Sequence, residues 1–243
     1  MYYNLVEYFY GGRDVVLFKY DLHVHTMESS LCGRMYAEDI VEYYHREGYQ
    51  GLAITDHFSE LFFKEQPEYK KDWAALADRF LKGYRAAARR GATLGMDVIL
   101  GLEFRSPDSD RDTLVFGVDE DFVYNNAYGY EMGLERFYKR FGAELLLIAA
   151  HPFRPDRQTG KQCGFLPQFI HGIEVFNGNT RHDSRDAQAL EYCGAHPGFI
   201  RVSGSDAHRP LDLCTAYVGF KARVRDSAAL VAALKGRDYM LGI

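Results

Sequence analysis

Asp21-Leu22-His23-Val24-His25-Thr26 is the stretch that decides how this chain folds. It closes an apolar run, Val15 to Phe18 leading on to Leu22, that reads as a buried strand. Residues two apart on an extended backbone point to one face, so His23 and His25 converge while Val24 points away. Two imidazole nitrogens are thereby offered to one cation.

Outward from this pair the same placement recurs: Gly51 to Ile54 runs into Thr55-Asp56-His57, Val98 to Leu102 into Glu103, Leu145 to Ala150 into His151, and Ile200 to Ser203 approaches Asp206-Ala207-His208. A strand ends and a ligand type appears. Ligands gathered at the ends of several strands are the pattern of a multi-metal site at one end of a βα-barrel, the end where barrels carry chemistry. Asp206 and His208 repeat the two-residue spacing with a hard oxygen and a borderline nitrogen. Glu103 is the natural bridge between two cations. Asp56, a catalytic candidate, is expected to orient a ligating imidazole, a support that such rings usually require. His45, His171, His182 and His196 lack a partner ligand nearby in sequence and read as surface or capping residues.

Asp21-Leu-His-Val-His-Thr26, Ile54-Thr-Asp-His57, Gly101-Leu-Glu103, Ala150-His-Pro-Phe-Arg154, Gly172-Ile-Glu-Val-Phe-Asn177 and Gly204-Ser-Asp-Ala-His208 resemble, in order, the motifs of the PHP superfamily, named for polymerase and histidinol phosphatase. The resemblance implies an α/β fold of the distorted (β/α)7 TIM-like barrel type. It implies two or three divalent ions, zinc, manganese or iron, serving phosphoester hydrolysis. Carried over residue by residue, one ion takes His23, His25, Glu103 and Asp206, a second shares Glu103 and uses His151, and a third uses His57 and His208. Two positions depart from the pattern. The acidic or histidine ligand that many relatives place shortly after the first pair falls here in Met27-Glu28-Ser29-Ser30-Leu31-Cys32, where Glu28 is the expected substitute. No histidine occurs from 104 to 150, so Asp112, Asp119 or water takes the other vacant role.

The chemistry expected of such a centre is hydrolysis of a small phosphorylated metabolite, such as histidinol phosphate or a nucleotide, by metal-activated hydroxide. Cations roughly 3.5–4 Å apart acidify a water and stabilise both oxygens of an in-line displacement. Neither a Gly-x-Ser-x-Gly elbow nor a Walker-type phosphate loop is present. Arg154, three residues after His151, is the leading candidate to grip phosphate with its planar fork, both catalytic and substrate-binding. Its bland alternative is a surface pair with Asp156. Arg181 and Arg209 are further candidates of that kind, and Asn177 and Glu174 are placed to line the pocket or to fix a loop.

With 243 residues, 47% of them hydrophobic and 26% charged, the chain is expected to form one soluble domain over 1–243, residues 1–18 being an N-terminal extension and strand lead-in. The aromatic prefix Met1 to Tyr10 is expected to pack across the barrel base or against another subunit. It lacks the features of a secretory signal, and no run of eighteen apolar residues follows, so no membrane association is expected. Cys32, Cys163, Cys193 and Cys214 are scattered without a C-x-x-C spacing, which fits a reducing cytoplasm. A net charge of −5 without long basic runs leaves no footing for an extended nucleic-acid track. The oligomeric state is left open.

Apolar spacing predicts helices over Ala37 to Arg46, Asp72 to Leu94, Asp183 to Cys193 and Asp226 to Lys235, alternating with the strands. Phe58 to Lys71 reads either as a substrate wall or as a packing cluster, and Asn125 to Tyr130 as a surface turn. Two other functional classes stay open. One is an amidohydrolase-like C–N hydrolase, which would commonly carry a bridging lysine; the other is a non-catalytic metal-binding PHP module within a larger assembly.

Overall fold

Strand and helix signals alternate along the computed structural model, which describes residues 6–10, 13–108, 111–155 and 164–242. The first described elements are β1 (Val6–Tyr10) and β2 (Arg13–Val24), an antiparallel pair. Then come α1 (Ala37–Arg46), β3 (Gly51–Ile54), β4 (His57–Phe58), α2 (Glu60–Lys64), α3 (Trp73–Phe80), α4 (Lys82–Leu94), β5 (Asp97–Leu100) and β6 (Leu102–Arg105). The remainder is β7 (Asp112–Phe116), α5 (Glu120–Asn125), α6 (Leu134–Phe141), β8 (Leu146–Ala149), β9 (Gly172–Asn177), α7 (Asp186–Ala195), β10 (Ile200–Gly204), β11 (Tyr217–Phe220), α8 (Ser227–Gly236) and β12 (Tyr239–Gly242).

The expected (β/α)7 barrel gives way to two sheets of six strands with no closed barrel among the described residues. One has the order β12-β11-β2-β3-β5 with β1 added on β2, the other β10-β9-β8-β7-β6-β4. The reason is local. Parallel neighbours need a crossover of a dozen or more residues, and the short link from Arg105 to Asp112 turns β7 antiparallel to β6. β7 is also antiparallel to β8, and β11 is antiparallel to both β2 and β12. Parallel pairing survives in β2-β3-β5, β4-β6 and β8-β9-β10.

The sheets meet at two seams, and both lie beside ligand-type residues. At one, the His25 N–H donates to the Ala207 carbonyl at 3.0 Å, the Ala207 N–H returns to the His23 carbonyl at 3.2 Å, and the Ser205 N–H reaches the Asp21 carboxylate at 3.0 Å. At the other, Gly101 N–H donates to the Ile54 carbonyl at 2.9 Å and Glu103 N–H to the Asp56 carbonyl at 3.1 Å. The bonds at the first seam tie the sheets without a continuous ladder; at the second the chain itself passes between the sheets, from β3 to β4 and from β5 to β6, and the two links lie side by side, so the ends of β2, β3, β5 and β10 meet in one region.

The amphipathic helix α1 keeps its expected bounds and buries Ala37, Ile40, Val41 and Tyr44. α8 starts where Asp226 accepts the Ala229 N–H at 2.7 Å, an N-cap of the usual kind. The single helix expected over Asp72 to Leu94 is instead two, α3 and α4, divided at Leu81. Ser29 supplies the cause: its hydroxyl accepts the Gly83 N–H at 2.9 Å and donates to the Arg79 carbonyl at 3.3 Å, satisfying one group on each side of the break. A Cβ at position 83 would stand 2.0 Å from Thr26 Oγ1, so only glycine lets α4 approach the loop after His25 this closely. Ser29→Ala is therefore expected to lower stability by about 1–3 kcal/mol by orphaning these groups; urea unfolding reads it, and an unchanged midpoint would show that water replaces the hydroxyl without cost.

Phe58, Phe62 and Phe63 are buried in a cluster with Phe80 and Tyr130, the Phe63 and Tyr130 rings stacking at 4.6 Å between centroids. The segment after His57 is thus largely a packing element, while Leu61 stays 62% exposed. Tyr130 is core, not surface turn, which the sequence reading of Asn125 to Tyr130 missed. Side chains of the aromatic prefix, Asp156 and Cys163 lie outside the described residues. Cys32, Cys193 and Cys214 are free thiols. Among the described residues no helix is long and apolar enough to cross a membrane.

Candidate metal centre

Glu103, at the start of β6, is 1% exposed and touched by four imidazoles. Its Oε1 lies 3.2 Å from His23 Nε2 and 3.3 Å from His151 Nε2, and its Oε2 lies 3.4 Å from His25 Nε2 and 2.7 Å from His57 Nδ1. Asp206 faces it: Oδ1 is 3.5 Å from His23 Nε2, 3.4 Å from His25 Nε2 and 3.3 Å from His208 Nδ1. Five imidazoles and two carboxylates thus converge at the seams between the sheets.

Outer contacts decide which nitrogens face inward. His23 Nδ1 lies 2.9 Å from Glu174 Oε1, a pure acceptor when ionised, so the ring proton sits there. His23 Nε2 is then directed at Glu103 and Asp206, with no hydrogen-bond partner of its own. His25 follows the same logic. Ser30 Oγ donates to Asp56 Oδ1 at 2.6 Å and so accepts from His25 Nδ1 at 3.3 Å, leaving His25 Nε2, also unpartnered, against the carboxylates. Glu103 Oε2 and His151 Nδ1 are further buried atoms of the centre without a hydrogen bond, Oε2 having only the His57 ion-pair contact. A lone pair facing a carboxylate oxygen at 3.2–3.5 Å is repulsive unless a positive charge lies between them. The donor set therefore fits divalent cations. Four groups have ligand atoms within 4.8 Å of one another: His23-His25-Glu103, His23-His151-Asp206, His25-His57-His208 and His57-Glu103-Asp112.

The proton equilibria carry the same message. Burial works against charge on His23, but Glu174, Asp206 and Glu103 outweigh it and raise its pKa well above the ordinary value. A divalent cation held between these groups would take the place of that proton. His25 goes the other way, pushed well below by burial and by the neighbouring His208 and His57. Burial would raise Glu103, yet His57 and His23 hold it well below the usual carboxylate range, and His23 and His25 do the same for Asp206. Strain marks the site too: His151 and Asp206 have φ of +31° and +50°, left-handed backbone that costs a non-glycine residue about 1–2 kcal/mol.

The structure assigns other roles to several predicted residues. Glu28, expected as a ligand, is committed elsewhere: both its oxygens accept the Ala37 N–H at 3.1 Å, capping α1. Asp119 caps α5 by accepting the Phe122 N–H at 2.7 Å, whereas Asp112 does reach the ligand region, its carboxylate gripped by Arg105 at 2.7 and 2.6 Å. Asp56 has no direct imidazole contact: it accepts from Thr26 and Ser30, and it acts on His25 only through Ser30. It is a positioning residue. The unassigned neighbour is Cys32, whose Sγ is 3.1 Å from His208 Nε2 and which also meets His57. Burial alone would raise this thiol, but the two imidazoles bring it down to about 6.

A cavity of about 680 Å³ opens above the cluster, walled in part by Arg105, Arg111, Arg154 and Arg181. Arg154 donates through one Nη to Asn177 Oδ1 at 2.7 Å, Asp206 Oδ2 at 2.8 Å and Ser184 Oγ at 3.2 Å. Asn177 does not line the cavity; it links Arg154 to Glu174, donating to Glu174 Oε2 at 2.9 Å. Arg181 lines the cavity beside Asn179, its Nε 3.1 Å from that amide oxygen. Arg209 turns instead to Asp212 at 3.8 Å, outside the cavity wall. Sequence reasoning missed Arg105, Arg111, Tyr130 and His182, all of which line it. Arg105 follows Glu103 by two residues, a signal of the kind that singled out Arg154; Arg111, Tyr130 and His182 follow no ligand closely, and the antiparallel β6-β7 pair brings Arg111 in.

The match to known proteins agrees with this geometry. The PHP domain model matches residues 21–154, and the chain belongs to that family. Among the solved structures that share the fold are these three. The first, from Bacteroides vulgatus ATCC 8482, is a two-domain protein for which a PHP-like metal-dependent phosphoesterase is predicted, with TM-score 0.67 and 17% identity over 94% of this chain. This chain spans 65% of that protein's length. Next is a protein from Bifidobacterium adolescentis ATCC 15703 proposed to be a metal-dependent phosphoesterase, with TM-score 0.53, 14% identity, and coverage of 89% of this chain and 95% of that one. An amidohydrolase from Chromobacterium violaceum, with sulfate bound and no metal, gives TM-score 0.52 and 15% identity, covering 91% of this chain and 97% of that one. A search of curated proteins gives no match.

Proposed function

We propose that the protein is a metal-dependent phosphoesterase acting on a small phosphorylated metabolite. The observation that carries this is the set of buried, unpartnered ligand atoms, His23 Nε2, His25 Nε2 and Glu103 Oε2, beneath a cavity with four arginines in its wall. His23, His25, His57, Glu103, His151, Asp206 and His208 would hold two or three divalent ions of zinc, manganese or iron, which mixed imidazole and carboxylate donors suit. When bound, such ions acidify a water towards a pKa of about 7 and polarise phosphoryl oxygens.

The protein's own residues supply the rest. Glu174 fixes the His23 ring and the His151 backbone at once. Asp56, through Ser30, fixes His25 and the His57 backbone. Arg154 lines the cavity and, held on Asn177, Ser184 and Asp206, is pre-oriented to bind a phosphate beside the ligands. Arg181 extends the positive wall. The concave site suits a compact substrate rather than a polymer track.

The direct test is release of phosphate from a panel of phosphorylated metabolites by protein reconstituted with each metal, with amide substrates alongside. Phosphate release that depends on added metal supports the reading. Turnover of amides alone would favour C–N hydrolysis, for which no lysine lines the cavity among the described residues; metal uptake without turnover of any substrate would favour a non-catalytic module. Arg154→Ala is expected to raise KM by ~10-fold or more, the loss of one charge-assisted phosphate contact, while metal content stays near wild type. An equal loss of metal would show that its bond to Asp206 is its whole role.

A further inference from the structure

We propose that Cys32 is a thiolate ligand, completing with His57 and His208 a sulfur-containing metal position; this rests on the metal-dependent reading above. Three observations converge. Cys32 Sγ lies 3.1 Å from His208 Nε2 and also meets His57. His208 Nδ1 is 2.8 Å from the Asp206 carbonyl, an acceptor only, so His208 Nε2 presents its lone pair to the sulfur. His25, fully buried with Nε2 unpartnered, stacks on the His57 ring at 4.5 Å between centroids, lies tilted against the His208 ring at 4.3 Å, and shares a ligand group with both.

Elimination within the loop points the same way. Glu28 is committed to the first turn of α1, and Ser29 and Ser30 are committed to Gly83 and to Asp56. Cys32 is the donor that this loop aims at His57 and His208. It also lines the cavity, so an ion held there would face a substrate.

Sulfur changes the selectivity of that position. Thiolate with imidazole favours zinc, iron(II) or cobalt(II) and disfavours magnesium and manganese, which prefer oxygen. The other ions, held by imidazole and carboxylate alone, carry no sulfur.

Cobalt(II) makes the distinction visible, because a Co–thiolate bond gives a near-ultraviolet charge-transfer band that imidazole and carboxylate ligands do not. Metal-free protein titrated with cobalt is expected to develop that band. Cys32→Ser should lose it together with about one metal equivalent, Cys32→Asp should lose the band but keep the metal, and Cys214→Ser should retain both, with folding checked by circular dichroism. A band that persists in Cys32→Ser overturns the proposal. Full cobalt uptake by the wild type with no band overturns it too, while leaving the imidazole-carboxylate centre standing; absence of cobalt uptake overturns both.

Discussion

Converting His23 and His25 together to alanine is expected to empty the centre and reduce metal-dependent phosphate release by ~10³-fold or more, about 4 kcal/mol of barrier. The two rings present the unpartnered nitrogens that face Glu103 and Asp206 at 3.2–3.5 Å. Without them the remaining ligand atoms divide between the His151 side and the His57-His208 side, and the group His23-His25-Glu103 is reduced to its carboxylate. Elemental analysis gives the metal content and an aryl phosphate the rate. Undiminished turnover in the double variant would end the metal-centred account, whatever the fold.

The second large effect is expected at a residue that touches no substrate. Glu174→Gln should weaken metal binding by about 10–100-fold, the usual consequence of losing the partner of a ligating histidine. Both oxygens of Glu174 accept hydrogen bonds: Oε1 from His23 Nδ1 at 2.9 Å, Oε2 from the His151 N–H at 2.8 Å and from Asn177 Nδ2 at 2.9 Å. Glutamine keeps one acceptor and sets an N–H against a donor at the other, so either His23 turns to the wrong tautomer or the strained His151 backbone, at φ +31°, loses its anchor. The site leaves little room to adjust: a Cβ at Gly204 would stand 2.5 Å from His23 Cβ and 3.0 Å from Glu174 Oε1. Competition with a chelating dye measures the affinity, and a wild-type value in Glu174→Gln would reduce Glu174 to a packing role.

The predicted ligands that the structure brings together share one property: each follows directly from a strand. His23 and His25, His57, Glu103, His151, and Asp206 with His208 lie at or just beyond the ends of β2, β3, β5, β8 and β10, and a strand end fixes both depth and direction of the side chain. Glu28 and Cys32 sit in a loop, where direction is set by neighbours distant in sequence. Glu28 is the one acid of Met27 to Cys32 and the expected substitute there, yet its carboxylate reaches the Ala37 N–H nine residues on and caps α1. Cys32 gave no spacing signal of its own.

Composition and periodicity determined the strand-helix alternation, the burial of the ligand-bearing strands and the identity of most donors, because these depend on side-chain direction over a few residues. Tertiary structure alone decided that the strands form two sheets and not a ring, that Ser29 splits one helical pattern into α3 and α4, and that Arg105 and Arg111 share a cavity with Arg154. Each of those outcomes depends on groups far apart in the chain meeting in space, and local preference holds no information about such encounters.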